Sequence, residues 1–189
     1  QSVKIKELVQ DLNLVSQLEY EMQPLHKEMV RLSKLLRSYV ADLLNMGISD
    51  SYNIGIEIAT DAENTMLECD ARLISRAVNN LVQNSMRHNP LGCRILLSLR
   101  RMENTIQLIV QDDGIGLSEE KLQELKEKPH YLESTDERLD LRHGLGLVLV
   151  RQIVAAHEGT MTIDSKINCG CKIILTFDSI DTIPKNHLS

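Results

Sequence analysis

Residues 105–118 read TIQLIVQDDGIGLS, and the rest of the chain falls into place around them. Side chains alternate along a strand with period two, so Ile106, Leu108, Val110 and Asp112 share one side. If that side is the core, an apolar row closes on a carboxylate. A buried carboxylate without donors is costly or takes up a proton, and an amino group on a flat ligand, such as the exocyclic amine of adenine, would satisfy it. Gly114 and Gly116 follow at once and let the backbone turn sharply and approach such a ligand closely. Taken alone, the segment is equally consistent with a hairpin turn carrying a surface aspartate.

Upstream, residues 77–90 read AVNNLVQNSMRHNP and set Asn80 and Asn84 one helical turn apart, with Arg87 and His88 a further turn on. The helix is expected to start at Asp70 as N-cap and to end near Pro90. Ile74, Ala77, Val78, Leu81 and Val82 form its buried stripe, bordered by Asn84 and His88, with Asn80 further round. By itself this column of amides is a solvated polar face.

Downstream, residues 142–150 read RHGLGLVLV and place Gly144 and Gly146 ahead of an apolar helix that Gly159 caps. A glycine-rich entry to a helix presents free backbone N–H groups and the positive end of the helix dipole, which suits phosphate. An isolated Gly-x-Gly is also an ordinary loop ending.

The remaining chain supplies the frame. Residues 3–22 carry Ile5, Leu8, Leu12, Val15, Leu18 and Met22 at the spacing of a coiled-coil or bundle helix, for which no partner helix is evident in the chain. Pro24 breaks it, and a second amphipathic helix is expected with Leu25, Met29, Leu32, Leu36, Val40 and Leu43 on one face, closing near Gly47. NIGIEIATD and TMLEC read as strands, CRILLSLRR and NTIQLIVQDD as a hairpin turning at residues 102–104, and TMTIDS and CKIILTFD as two closing strands. Residues 114–144 are charged, with one short helical pattern at 119–126, and the tail after Asp178 is polar. This order predicts an α/β chain of the two-layer α+β kind: a mixed sheet covered on one face by helices, preceded by a coiled-coil-like helix.

Composition narrows the function. A net charge of −6 without a long Lys/Arg block argues against a nucleic-acid surface, and no apolar run reaches the roughly 20 residues of a membrane-spanning helix. Cys69, Cys93, Cys169 and Cys171 lack the Cys-x-x-Cys spacing of a zinc knuckle and are read as reduced structural thiols.

An amide-bearing helix, then Asp-x-Gly-x-Gly ending a strand, then a long polar segment, then Gly-x-Gly-Leu at a helix: as an ordered set over residues 25–178 this resembles the nucleotide-binding domain of sensor histidine kinases, gyrase-type ATPases and heat-shock chaperone ATPases, the Bergerat fold. The resemblance implies ATP and Mg²⁺, with Asn84 as metal ligand, Asn80 supporting phosphate or metal, and Arg87 facing phosphate as catalytic companions. It implies Asp112 at adenine with Gly114 and Gly116 beside the base, His88 where an aromatic often sits, and His143, Gly144, Leu145, Gly146 and Leu147 at the phosphate end of a lid covering about residues 117–143.

One position selects the branch. Where the hydrolases of this fold carry a glutamate to activate water, this chain has Asn80, which cannot take a proton as a carboxylate would. The resemblance therefore implies a histidine kinase catalytic domain that passes the γ-phosphoryl group to a histidine, in two-component signalling to a response regulator. Its partners would be a dimerisation and phosphoacceptor domain and that regulator, within a homodimer and without nucleic acid or direct membrane insertion. Its place would be cytoplasmic, as the soluble part of a membrane-anchored receptor. The implied division is residues 1–23 as the end of the dimerisation hairpin, 24–178 as the ATP-binding domain and 179–189 as a tail. The phenylalanine-containing lid box is absent, KPHYLESTDERLDLRHG standing in its place with Tyr131 or Leu132 for packing and Arg138 and Arg142 for phosphate. None of His26, His130, His143 and His157 reads as the acceptor, so the chain is expected to be a piece lacking it. The alternatives are an ATP hydrolase of the same fold and a catalytically impaired pseudo-kinase serving as a docking or dimerisation module.

Overall fold

The computed structural model describes residues 2–19, 24–127 and 141–179. In chain order the elements are α1 (Ser2–Glu19), β1 (Glu28–Arg31), α2 (Leu32–Asn45), β2 (Tyr52–Ile58), β3 (Met66–Cys69), α3 (Ala71–His88), β4 (Cys93–Met102), β5 (Thr105–Asp112), α4 (Glu119–Glu127), α5 (Leu141–Ala156), β6 (Thr160–Ser165) and β7 (Cys171–Asp178). The strands form a five-stranded mixed sheet in the order β2-β4-β5-β7-β6, parallel only between β2 and β4, and a separate antiparallel ribbon of β1 and β3. The expected two-layer α+β architecture is what the chain adopts.

Alternation decides which sheet face meets the helices. Ile95, Leu97 and Leu99 of β4, Ile106, Leu108 and Val110 of β5, and Leu175 and Phe177 of β7 are buried and sit in register across three strands, Leu97 opposite Val110 and Val110 opposite Ile173. The helices cover this face with Leu73, Ile74, Ala77, Val78, Leu81 and Val82 of α3 and Leu149, Ile153 and Val154 of α5. Burying each large aliphatic side chain stabilises the fold by about 1.5–3 kcal/mol, so the α3–α5–sheet interface is what holds the two helices rigidly over the end of β5.

Three expectations are corrected. The second amphipathic helix does not begin near Leu25: residues 28–31 pair with β3 as a strand, Glu28 opposite Cys69 and Arg31 opposite Met66, and α2 starts at Leu32. Met29 is accordingly exposed while Leu32, Leu36, Val40 and Leu43 are buried; apolar spacing continued past the helix end because the strand partner lies more than thirty residues away. The first helix does have a partner in the chain. Leu14, Val15 and Leu18 are buried in the same core cluster as α5, and Asp11 forms an ion pair with Arg76 of α3. Gly159 is not the left-handed residue ending α5: Glu158 takes φ +58, and Gly159 is required because a Cβ there would lie 2.6 Å from the Phe177 ring.

Candidate functional site

The site is assembled at one end of the α3–β5–α5 layer. Its first component is α3, which starts where the sequence places it: the Asp70 carboxylate accepts from the backbone N–H groups of Arg72 (3.1 Å) and Leu73 (3.3 Å), the N-cap pattern. Burial pushes the Asp70 carboxyl up, but hydrogen bonds from the His26 N–H, the Arg72 guanidinium and the Leu73 N–H, with the Arg72 charge, hold it below its ordinary value. With its start pinned, the helix carries Asn80 and Asn84 to the sheet end in a set rotation.

The second component is Asp112, which closes the buried row of β5 at 5% exposure as the alternation requires. The chain itself supplies its donors. Ser85 Oγ donates to Oδ2 at 2.8 Å, while Oδ1 accepts from the Gly114 N–H (3.0 Å), the Cys171 N–H (3.3 Å) and Asn89 Nδ2 (3.4 Å). These four donors come from within the chain, and a ligand amine would add to them. A carboxylate has about four lone-pair sites; Oδ1 is fully used, and Oδ2, with one partner, retains room for one more donor.

Asn89 and Ser85 are the residues the sequence reading missed. Asn89 is buried, donates to the Ser85 carbonyl (2.8 Å) and accepts from the Ile115 N–H (2.9 Å), so it stitches the end of α3 to the loop after β5. A signal was available: Leu81, Ser85 and Asn89 extend the buried stripe of α3 in steps of four, and polar residues on a core stripe require buried partners. The space at Gly114 is filled by this side chain, since a Cβ there would lie 1.9 Å from Asn89 Oδ1. Gly116 takes φ +63, with a Cβ position 2.0 Å from the Lys166 carbonyl, so both glycines are imposed by the packing of the loop against its neighbours.

The third component differs from its expected form. Helix α5 starts at Leu141, so Gly144 and Gly146 lie within its first turns and do not precede it. A glycine inside a helix costs about 0.5–1 kcal/mol relative to alanine, and packing at Gly146 does not demand it: a Cβ would stand at ordinary contact distance, 3.4 Å from both Oδ1 and Nδ2 of Asn84. Helix α5 thus presents bare backbone to the Asn84 amide. Leu145 is buried in the core and Leu147 packs against it, so their side chains belong to the interior.

Around that junction the amides have unspent capacity. Among the described residues, buried Asn84 receives a long contact from Arg87 Nη1 to its Oδ1, at 3.5 Å, and Asn80 Nδ2 is buried without a partner. Buried polar groups are normally paired, so each such atom calls for an explanation. An orphaned N–H donor suits a phosphate oxygen, and a neutral amide oxygen is a hard ligand of the type Mg²⁺ accepts. Arg87 and His88 lie at the exposed end of α3. The His143 side chain and the lid candidates Tyr131, Leu132, Arg138 and Arg142 lie outside what is described.

Comparison with known proteins follows the same lines. A family model described as histidine kinase-, DNA gyrase B-, and HSP90-like ATPase matches residues 69–180. The sensor histidine kinase YvrG of Bacillus subtilis is 27% identical over 173 residues, an alignment covering 92% of this chain and 29% of the relative. The sensor-like histidine kinase SenX3 of Mycobacterium bovis is 32% identical over 129 residues, covering 68% of this chain and 32% of the relative. The fold matches that of Acinetobacter baumannii histidine kinase AdeS with a TM-score of 0.72 at 19% identity, over 93% of this chain and 79% of the other. The chain spans about a third of the length of these curated relatives.

Proposed function

Because the chain belongs to the histidine kinase-, DNA gyrase B- and HSP90-like ATPase family, as the catalytic ATP-binding domain of a sensor histidine kinase, we propose that it binds Mg-ATP between α3 and α5 and gives up the γ-phosphoryl group to a histidine on a dimerisation segment. The observation that carries this reading is the pair of underused amides: Asn80 Nδ2 is buried without a partner among the described residues, and Asn84 faces the bare backbone at Gly146.

In this reading Asn84 Oδ1 would hold the metal, Asn80 and Arg87 would face phosphate, and Gly144 and Gly146 would keep the backbone of α5 open beside them. Asp112 would receive the exocyclic amine of adenine on its remaining Oδ2 site, with Gly114 and Gly116 beside the base and His88 at its rim. His143, Leu145 and Leu147 would shape the phosphate end, the leucines through their backbone since their side chains face the core. Magnesium bound at Asn84 would neutralise charge on the phosphate oxygens. The rest of the work is positioning, which is most of what phosphoryl transfer asks of a protein.

Transfer is favoured over hydrolysis because the position one turn before Asn84 is an amide, Asn80, without the basicity to activate water. The acceptor would lie on a dimerisation domain to which residues 1–23 belong, with 24–178 as the ATP-binding domain and 179–189 as a tail. The phosphoryl group would pass on to a response regulator, with the domain on the cytoplasmic side of a membrane-anchored homodimer. Among the described residues no helix is long and apolar enough to cross a membrane.

The test is calorimetric titration with a non-hydrolysable ATP analogue, with and without Mg²⁺, on wild type, Asp112→Asn and Asn84→Ala. Binding that weakens in Asp112→Asn, and a magnesium dependence lost in Asn84→Ala while both variants stay folded, is the expected result. Equal, magnesium-dependent binding by Asn84→Ala removes the metal assignment.

A further inference from the structure

The turn joining β6 to β7 carries two thiols, Cys169 and Cys171, separated by Gly170. It is a tight turn, with Asn168 at φ +61 and Gly170 at φ +80, and it is bound to the loop after Asp112 from several directions. The Asn168 N–H donates to the Ile115 carbonyl (2.8 Å), the Ser165 hydroxyl bridges the Gly170 carbonyl (2.8 Å) and the Leu117 N–H (2.9 Å), and a Cβ on Gly170 would lie 1.9 Å from the Asp112 carbonyl oxygen. Most directly, the Cys171 N–H is one of the donors to the Asp112 carboxylate. A change in the shape of this turn cannot leave Asp112 and residues 114–117 where they are.

Both thiols are free, Cys169 exposed and Cys171 half-buried, and they line one open cavity of about 140 Å³ whose rim includes Lys166, Lys172 and Asp164. The exposed sulfur is the one that meets a solute, and the two lysines favour an anionic one. Two residues span at most about 7 Å, so the Cα atoms of a Cys-x-Cys pair already lie close to the roughly 4.4–6.8 Å window of a disulfide. The intervening glycine supplies the freedom to close it.

We infer that Cys169 and Cys171 form a reversible dithiol switch on the Asp112 loop, closed by exchange with an anionic small-molecule disulfide of the glutathione type. The Cys169 sulfur, having lost its proton, attacks one sulfur of the disulfide; the S–S bond breaks, a protein mixed disulfide forms and one thiolate leaves. Cys171 then loses its proton and displaces the second small thiolate, forming the Cys169–Cys171 bond. Two protein thiols are oxidised and one disulfide is reduced to two thiols. Burial and the neighbouring Asp112 push the Cys171 thiol up to about 11, which makes Cys171 the resolving sulfur and the second step the slow one. Closing the ring moves the Cys171 N–H off Asp112 and so weakens nucleotide binding, a consequence that rests on the proposed pocket.

The test incubates the reduced chain with oxidised glutathione, alkylates the remaining thiols and maps them by peptide mass, then follows amide hydrogen exchange across residues 114–117 and affinity for a non-hydrolysable ATP analogue. The expected result is a Cys169–Cys171 bridge, faster exchange in that loop and about tenfold weaker nucleotide binding, the effect of losing one hydrogen bond to a charged group. All three changes should reverse with dithiothreitol and be absent in C169S. Four alkylatable cysteines after incubation, a bridge through Cys93 instead, or a bridge with unchanged loop exchange would each overturn the switch. If the reduced wild type binds no nucleotide, the pocket reading fails, while the bridge and the loop response are still decided by mass and exchange.

Discussion

Replacing Gly146 by alanine separates the stability of this domain from its proposed function, because the two should move in opposite directions. Gly146 sits inside α5, outside the positive-φ region, so alanine gains about 0.5–1 kcal/mol of helix propensity. The added methyl would meet the Asn84 amide at 3.4 Å from Oδ1 and Nδ2 and 3.8 Å from Cγ, ordinary contact distances that subtract little. For a domain of this size a gain of that order raises Tm by about 1–4 °C. Yet the methyl covers the amide surface where phosphate and metal would sit, and desolvated amide groups that lose a charged partner cost about 1.5–3 kcal/mol, or at least tenfold in affinity. The assay is thermal unfolding by circular dichroism beside calorimetric titration with the Mg-ATP analogue. A variant that is more stable and binds as tightly as wild type would refute the placement of nucleotide at the Asn84–Gly146 junction. A variant that is less stable would refute the claim that Gly146 is there for an approach and not for its backbone.

Other expectations follow from the hydrogen bonds of the same layer. Asn89→Ala leaves the Ile115 N–H without its acceptor and Asp112 without one donor, and should cost about 1–3 kcal/mol in urea unfolding; a neutral result would mean that water replaces the amide. Asp70→Ala removes the cap of α3 and should cost about 1–2 kcal/mol by the same measurement. His157, buried at the end of α5, points one nitrogen at the Ile153 carbonyl (2.7 Å), while its Nε2 accepts from the Asp70 N–H (3.0 Å). Burial lowers its pKa from the ordinary value of about 6.5, so below that pH the unfolded chain binds more protons than the folded one. Stability should therefore be complete above about pH 6.5 and fall with pH from there to the folded value. His157→Gln should flatten urea midpoints between pH 7 and 5, and an unchanged slope would count against the assignment.

Much of this fold is written in local pattern. The β4–β5 hairpin, the start of α3 at Asp70 and the burial of Asp112 all follow from periods of two and 3.6 and from a single capping residue, which act within a few positions of each other. The helical spacing of Leu25, Met29 and Leu32 predicts helix over residues 28–31, and what makes them a strand is pairing with Met66–Cys69, which no local pattern contains. The extra turn of α5 before Gly144 is hidden in the same way, since two glycines read locally as a loop.

Local pattern sets which chemistry the chain can hold: a carboxylate closing an apolar strand, two amides one turn apart on a helix, and an amide at Asn80 where a base would need a carboxylate. How those groups are satisfied depends on contacts made across the fold. The fold brings Ser85 of α3, Asn89 at its C-cap and the Cys171 N–H of β7 onto Asp112, and it leaves Asn80 Nδ2 without a partner among the described residues. The physical reason is that hydrogen-bond satisfaction of a buried group depends on donors from segments 23 to 59 residues away, and periodicity reports which face a side chain takes but not what waits on that face.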